Sequence, residues 1–151
     1  MNEDKGFTLI EILITVAIIA VLSGVILVSI NPGEFLAKGR DSQRKSHLVT
    51  VLNAVGQRIA DNKGVFETGC AAGTIPVAAT KMAVGGGNYD IGPCLVSTYL
   101  PDMPFDPKAS GAHWTSTTDY DTGYTIIKNA TTGRVTVTAP SAELETITYV
   151  R

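Results

Sequence analysis

From Phe7 to Ile30 the chain is almost unbroken hydrocarbon, whereas beyond Asn62 it is a patchwork of short apolar runs cut by Gly, Pro and Thr. No charge occurs between Ile12 and Ile30, where Thr15, Ser23 and Ser29 are the polar interruptions and Gly24 sits beside the second. A helix of that length reaches across the hydrocarbon core of a bilayer. From Glu34 to Asp61 the pattern becomes amphipathic: Leu48, Val51, Leu52, Val55 and Ile59 recur at spacings of three and four, which predicts a helix with one face packed under a domain. Its other side reads as basic, with Arg44, Lys45 and Arg58, and with Lys38 and Arg40 upstream, interrupted by Asp41. Such a strip is either a solvated helix face, a surface that pairs with acidic patches on another subunit, or a contact for nucleic-acid phosphates.

Between the two helical patterns stands Asn31-Pro32-Gly33. Pro32 would remove one backbone hydrogen bond and clash with the Val28 carbonyl, and Gly33 lowers helix propensity further. The expectation is a kink or a melted stretch from Val28 to Gly33; the alternative is a helix that ends at Ile30, followed by a turn. If both portions were continuous, the spine from Thr8 to Asp61 would measure roughly 80 Å, at about 1.5 Å per residue. The rest of the chain is too small to cover it. Its apolar part must sit in lipid or against other copies.

The second half predicts strands. Gly123 to Lys128 and Arg134 to Ala139 are β-rich runs joined by Asn129-Ala130-Thr131-Thr132-Gly133, which reads as a hairpin. A third run, Glu145 to Val150, alternates Ile147 and Tyr149 against Thr146, Thr148 and Val150. A small antiparallel sheet on the amphipathic helix buries one face of each run. Gly85-Gly86-Gly87, Thr115 to Thr118, and His113 with Trp114 read as loop.

Composition adds limits. With 151 residues there is room for one compact domain and one membrane span. Twelve Lys and Arg against 14 Asp and Glu give a formal charge of −2, so no global basic excess points to DNA. Cys70 and Cys94 lie among Gly, Pro and Thr, where no regular element is expected. Paired, they close a loop of about 25 residues, worth about 3 to 4 kcal/mol in the chain-entropy model, and need an oxidising compartment. Unpaired, they are two small hydrophobes. His47 and His113 lack a neighbouring nucleophile or metal-ligand spacing, and the glycine run lacks the setting of a phosphate cradle. Asn129-Ala130-Thr131 matches a glycosylation sequon.

A secretory signal peptide fits poorly, since Met1 to Gly6 carries Glu3 and Asp4 beside Lys5 and no Ala-x-Ala pattern follows the apolar run. Thr8 to Glu11 forms a Thr-x-x-Glu capping box, whose carboxylate also faces the positive end of the helix dipole. Yet Glu11 lies at the edge of the spanning run, where an unpaired charge costs about 2.5 to 3.5 kcal/mol and marks a partner. An amine freed on Phe7 of another subunit would be a natural counter-ion. Topology is left in conflict: Lys38, Arg40, Arg44 and Lys45 after the span place the larger part in the cytoplasm, whereas the cysteine pair places it outside.

The segment Lys5-Gly6-Phe7-Thr8-Leu9-Ile10-Glu11, followed by an unbroken apolar helix, resembles the class III signal of type IV pilins and pseudopilins. The resemblance implies cleavage between Gly6 and Phe7 by a prepilin peptidase, N-methylation of Phe7, a head outside the cytoplasmic membrane, and pairing of Glu11 with the terminal amine of an adjacent subunit. This leader is shorter and more acidic than the family's usual one. Where many members carry a Pro within the apolar helix, Val28 stands here and Pro32 follows later. The stretch Tyr99-Leu100-Pro101-Asp102-Met103-Pro104-Phe105-Asp106-Pro107 is similar to the segment before the final strands of the major pseudopilin of type II secretion. In that family calcium organises a loop, which makes Asp102, Asp106, Asp119 and Asp121 candidate oxygen ligands; the rival reading is Asx-turns.

The expected organisation is a leader at residues 1–6, a membrane and filament-core helix at 7–30, an amphipathic helix at 31–61 and a β-rich head at 62–151. The fold class is α+β, a long N-terminal helical spine on a small antiparallel sheet. The expected role is a non-enzymatic subunit, either the major pilin of a type IV pilus or a type II secretion pseudopilin. The resemblance implies as partners the prepilin peptidase, an inner-membrane assembly platform, the membrane before assembly, and further copies in a helical homopolymer at the cell surface.

Overall fold

A computed structural model of the chain describes residues 6–29 and 31–151. It divides into two compact units, Met1–Leu36 and Ala37–Arg151.

In the first unit, helix α1 runs Leu9–Ser29 and begins at the expected capping box. Helix α2 runs Pro32–Asp61 and so starts two residues before the sequence pattern suggests. The Asn31 side chain accepts from the Glu34 N–H at 3.4 Å, and its carbonyl accepts from Phe35 at 3.1 Å. Pro32 therefore stands at the first helical position, where its missing N–H is an orphan in any case and its fixed φ suits the helix. Pro32 and Gly33 belong to the first turn of α2 rather than to a turn between helices. The stretch expected to kink includes Ile30, which lies outside the described residues.

The second unit is built on α2 from Ala37 onward. At its end Lys63 and Gly64 take positive φ values of 57° and 91°, and the Gly64 N–H returns to the Ile59 carbonyl at 2.8 Å, which stops the helix. Five strands follow: β1 Thr80–Ala83, β2 His113–Ser116, β3 Asp119–Lys128, β4 Val135–Ala139 and β5 Ile147–Val150. All pairings are antiparallel, in the order β1-β3-β4-β5, with β2 also on β3. The β3–β4 hairpin has the predicted loop, whose Asn129 carboxamide accepts from the N–H groups of Thr131 and Thr132. Strand alternation sets the core: Tyr120, Thr122, Tyr124 and Ile126 of β3, Val135, Val137 and Ala139 of β4, and Ile147 of β5 face inward. Against them α2 buries Leu48, Val51, Leu52 and Val55, with Ile59 at the margin.

Two readings of the second half need correction. His113 and Trp114, with Thr115 and Ser116 from the loop expected at Thr115 to Thr118, are in β2, because the N-terminal end of β3 supplies pairing partners at Asp121, Tyr120 and Asp119. Cys94 lies in a one-turn helix, α3 Gly92–Leu95, started by Pro93 and anchored where the Gly92 N–H donates to the Tyr120 hydroxyl at 2.8 Å. A Cβ on residue 92 would meet the Tyr120 ring at 2.7 Å, so glycine is what lets α3 lie on β3. A disulfide joins Cys94 to Cys70, with Cα atoms 5.4 Å apart.

Candidate functional site

The N-terminal unit offers a chemically simple surface. Glu11 Oε2 accepts from the Thr8 N–H and hydroxyl, both at 3.1 Å, and the Glu11 N–H donates to Thr8 Oγ1 at 3.3 Å. The box satisfies donors that the first helical turn leaves orphaned. Glu11 Oε1 has no hydrogen-bond partner among the described residues. Beyond it, Leu9–Ile26 has a mean hydropathy of 2.7, and none of that stretch is buried. Large apolar side chains point outward on every side of α1, from Leu9, Ile10 and Ile12 to Val25 and Ile26. The helix is long and apolar enough to cross a membrane. Phe7, the residue after the expected cut, is 83% exposed.

In the head, the side of α2 read as a solvated basic strip is partly interior. Arg44 is fully buried, Arg58 is 8% exposed and Asp41 is 3% exposed. The cause is spacing: Ala37, Asp41, Arg44, Leu48, Val51, Val55 and Arg58 recur at alternating intervals of four and three, one continuous stripe in which three members are charged. Periodicity alone would have found them; charge misdirected the assignment.

Arg44 donates from Nε and Nη2 to both oxygens of Asp106, at 2.7 and 2.9 Å, and from Nη1 to Asp41 at 2.7 Å and Glu143 at 3.0 Å. Asp41 also accepts from the backbone N–H groups of Glu143 and Leu144. Glu143 in turn takes a two-pronged contact from Arg40, at 2.6 and 2.7 Å, and one from Lys108 at 2.8 Å. Three carboxylates and three cations thus tie α2 to the segment before β2 and to the link between β4 and β5. Every buried side-chain polar atom among the described residues has a partner, as a hub removed from water requires.

The carboxylates of this hub titrate low. Burial works against the Asp106 anion, but the Arg44 guanidinium and the N–H groups of Lys108 and Ala109 outweigh it. Burial likewise opposes the Asp41 anion and is overcome by the Glu143 and Leu144 N–H groups and by Arg44. Arg40, then Lys108 and Arg44, hold Glu143 far below the usual range. Each folded-state pKa lies below its unfolded value. The stabilisation is therefore present above about pH 4 and lost as the pH falls towards the folded values. His47, lowered by burial, adds a separate loss that starts below about pH 6.5. Exposed His113 has its pKa raised by the Gly111 carbonyl and then by Asp119, and so opposes that loss. Acid titration of folding should show its steepest fall below about pH 4, and Glu143→Gln should lower stability at neutral pH while flattening that fall. A steepest fall near pH 6, set by His47, would contradict this.

The four aspartates considered for calcium do not converge. Asp106 is in the hub, Asp102 accepts from the Trp114 indole at 2.8 Å, Asp119 faces His113 at 3.1 Å, and Asp121 accepts from Lys81 and from the Gly123 N–H. Among the described residues no three His, Cys, Asp or Glu side chains gather as a metal site. Asp106 and Asp121 make the Asx-type contacts of the rival reading. His47 shares a hydrogen bond of 2.9 Å with the Tyr124 hydroxyl. It lines a groove of about 450 Å³ with Gln43, Thr50, Leu100, Phe105 and Trp114.

Residues 1–27 match the family described as the prokaryotic N-terminal methylation motif. The chain carries a class III prepilin signal. That signal is the one found on type IV pilins and pseudopilins, and it supports a prepilin that is anchored in a membrane, processed by a prepilin peptidase and assembled into a polymer. It marks a structural subunit rather than an enzyme. The match ends within α1. No curated protein and no solved structure matches this chain.

Proposed function

We propose that this chain is the major structural subunit of a type IV pilus. The precursor sits in the inner membrane through α1, is cut between Gly6 and Phe7, is N-methylated at Phe7, and is delivered by an inner-membrane platform into a helical homopolymer at the cell surface. One observation carries the reading: the apolar surface of α1, uncovered all round from Leu9 to Ile26, begins two residues after the cut site. Such a surface stays out of water in lipid or against copies of itself, and the signal provides for both in succession.

Intact mass of the native protein tests the processing. The expected species begins at a methylated Phe7; a chain that retains Met1 to Gly6 in assembled, functional material would overturn the reading. Fibres sheared from the cell surface should contain this chain. The second reading, a pseudopilin of a short fibre that drives protein secretion, is favoured by the similarity of the Tyr99–Pro107 segment to the one before the final strands of the major pseudopilin of type II secretion. Deletion that stops exoprotein release in cells that never carried a surface fibre would decide for it.

A further inference from the structure

Arg58 stands on α2 between two loops that approach from different parts of the chain. Its Nε and Nη2 donate to the carbonyls of Phe66 and Thr68, at 2.9 and 2.6 Å, on the arm that leads to Cys70. Its Nη1 donates at 2.9 Å to the carbonyl of Cys94 itself, on the other arm. That carbonyl is in the last turn of α3, where helix geometry leaves carbonyls unsatisfied, and a buried one needs a donor. The centroid of the Phe66 ring lies 5.3 Å from the guanidinium carbon, within cation–π range. Lysine carries the same charge but cannot hold three carbonyls in one fixed fork.

The three carbonyl contacts and the disulfide therefore join the same two arms. One set is non-covalent and can form while both cysteines are thiols. We propose that Arg58 is a positioning residue for oxidation of the Cys70–Cys94 pair: it holds the arms in register so that the disulfide closes on a head already folded. The co-reactant is an external disulfide. The more exposed Cys70 thiolate attacks it and releases one thiol; the Cys94 thiolate then attacks the mixed disulfide and releases the second. Two protein thiols are oxidised and one external disulfide is reduced. Arg58 acts on the second step, because that step requires Cys94 to be within bonding reach of Cys70. The inference does not depend on the filament assignment.

The test uses the full-length chain in detergent, reduced and then exposed to oxidised glutathione, quenched by alkylation and read by intact mass. Folding is followed in the same samples through Trp114, the single tryptophan, which packs on Tyr120. The wild-type chain should pass to the internal disulfide without accumulating a glutathione adduct. Arg58→Met keeps most of the stem but loses the donors; it should accumulate the singly glutathionylated chain, with the ratio of closed to mixed disulfide lowered about tenfold or more while the Trp114 signal stays folded. Arg58→Lys should fall between the two, and it carries the test if Arg58→Met does not fold. A variant that closes at the wild-type ratio would overturn the proposal. So would an adduct that grows only in proportion to loss of the folded signal, since Arg58 would then merely stabilise the head.

Discussion

Arg44→Leu is expected to destabilise the head by about 3 to 5 kcal/mol, the usual cost of removing one partner from a buried ion pair. The leucine roughly fills the space of the stem, so loss of packing is the smaller part. The larger part is electrostatic: Asp106, 1% exposed, loses both guanidinium bonds and keeps only the N–H groups of Lys108 and Ala109. Asp41 loses its cation too, while keeping the two N–H donors from the β4–β5 link. Glu143 is affected least, because Arg40 and Lys108 still hold it. A domain of this size is stable by about 5 to 15 kcal/mol, so a loss near 4 leaves a marginal head. Urea unfolding of the full chain in detergent, read by the single Trp114, measures it. Arg44→Lys should recover part of the loss, and pairing Arg44→Leu with Asp106→Leu should cost less than Arg44→Leu alone, because Asp106 is then no longer a bare buried charge and the remaining Asp41 keeps its two N–H donors. If Arg44→Leu unfolds within about 0.5 kcal/mol of the wild type, the hub is not what ties α2 to the sheet.

Arg44 also shows where reading the chain succeeds and fails. The helix that contains it is legible, since seven positions repeat at intervals of four and three. What the residue does there is not, because a charge in an apolar stripe makes sense only once Asp106 and Glu143, about 60 and 100 residues away, are placed beside it. Strands β3, β4 and β5 are legible for the opposite reason: alternation and the Asn129–Gly133 turn are local signals. β1 and β2, with four residues each, carry no such signal. They exist because β3 is ten residues long: β1 pairs along its edge opposite β4, and β2 pairs with Asp119 to Asp121, beyond the stretch that β4 covers. The Gly-rich composition around Cys94 likewise hid α3, whose glycine is required by the closeness of the Tyr120 ring rather than by flexibility. The four aspartates made a plausible set in sequence, but Asp106 is taken up by Arg44 and Asp102 by Trp114, which leaves Asp119 and Asp121 on β3 beside His113 and Lys81. At the N-terminus both levels agree, because the capping box and the apolar run are local.

Glu11→Gln is expected to reduce incorporation into fibres by about tenfold or more while leaving the start of α1 intact, and this separates the two roles of the residue. Glutamine serves in a Thr-x-x-Gln box as glutamate does, so its carbonyl oxygen can still accept from the Thr8 N–H and hydroxyl. What it cannot do is carry a charge. Beside the apolar run, a carboxylate with one oxygen left over costs about 2.5 to 3.5 kcal/mol unless a cation meets it, and in an assembled fibre the resemblance to pilins offers the Phe7 amine of an adjacent subunit. Loss of about 1.4 kcal/mol per contact is already tenfold in an equilibrium, and a helical array repeats the contact at every subunit. The complementary variant is Thr8→Ala, which removes the cap and keeps the charge. It should weaken the helix start by about 1 kcal/mol yet leave most of the chain assembled. Both are read as the share of processed chain in sheared fibres against the share in membranes, with intact mass confirming that each variant is cut before Phe7. Were Glu11→Gln to assemble as the wild type does and Thr8→Ala to fail, the carboxylate would be a helix cap alone, and the partner that draws α1 into a polymer would have to be sought in its apolar surface.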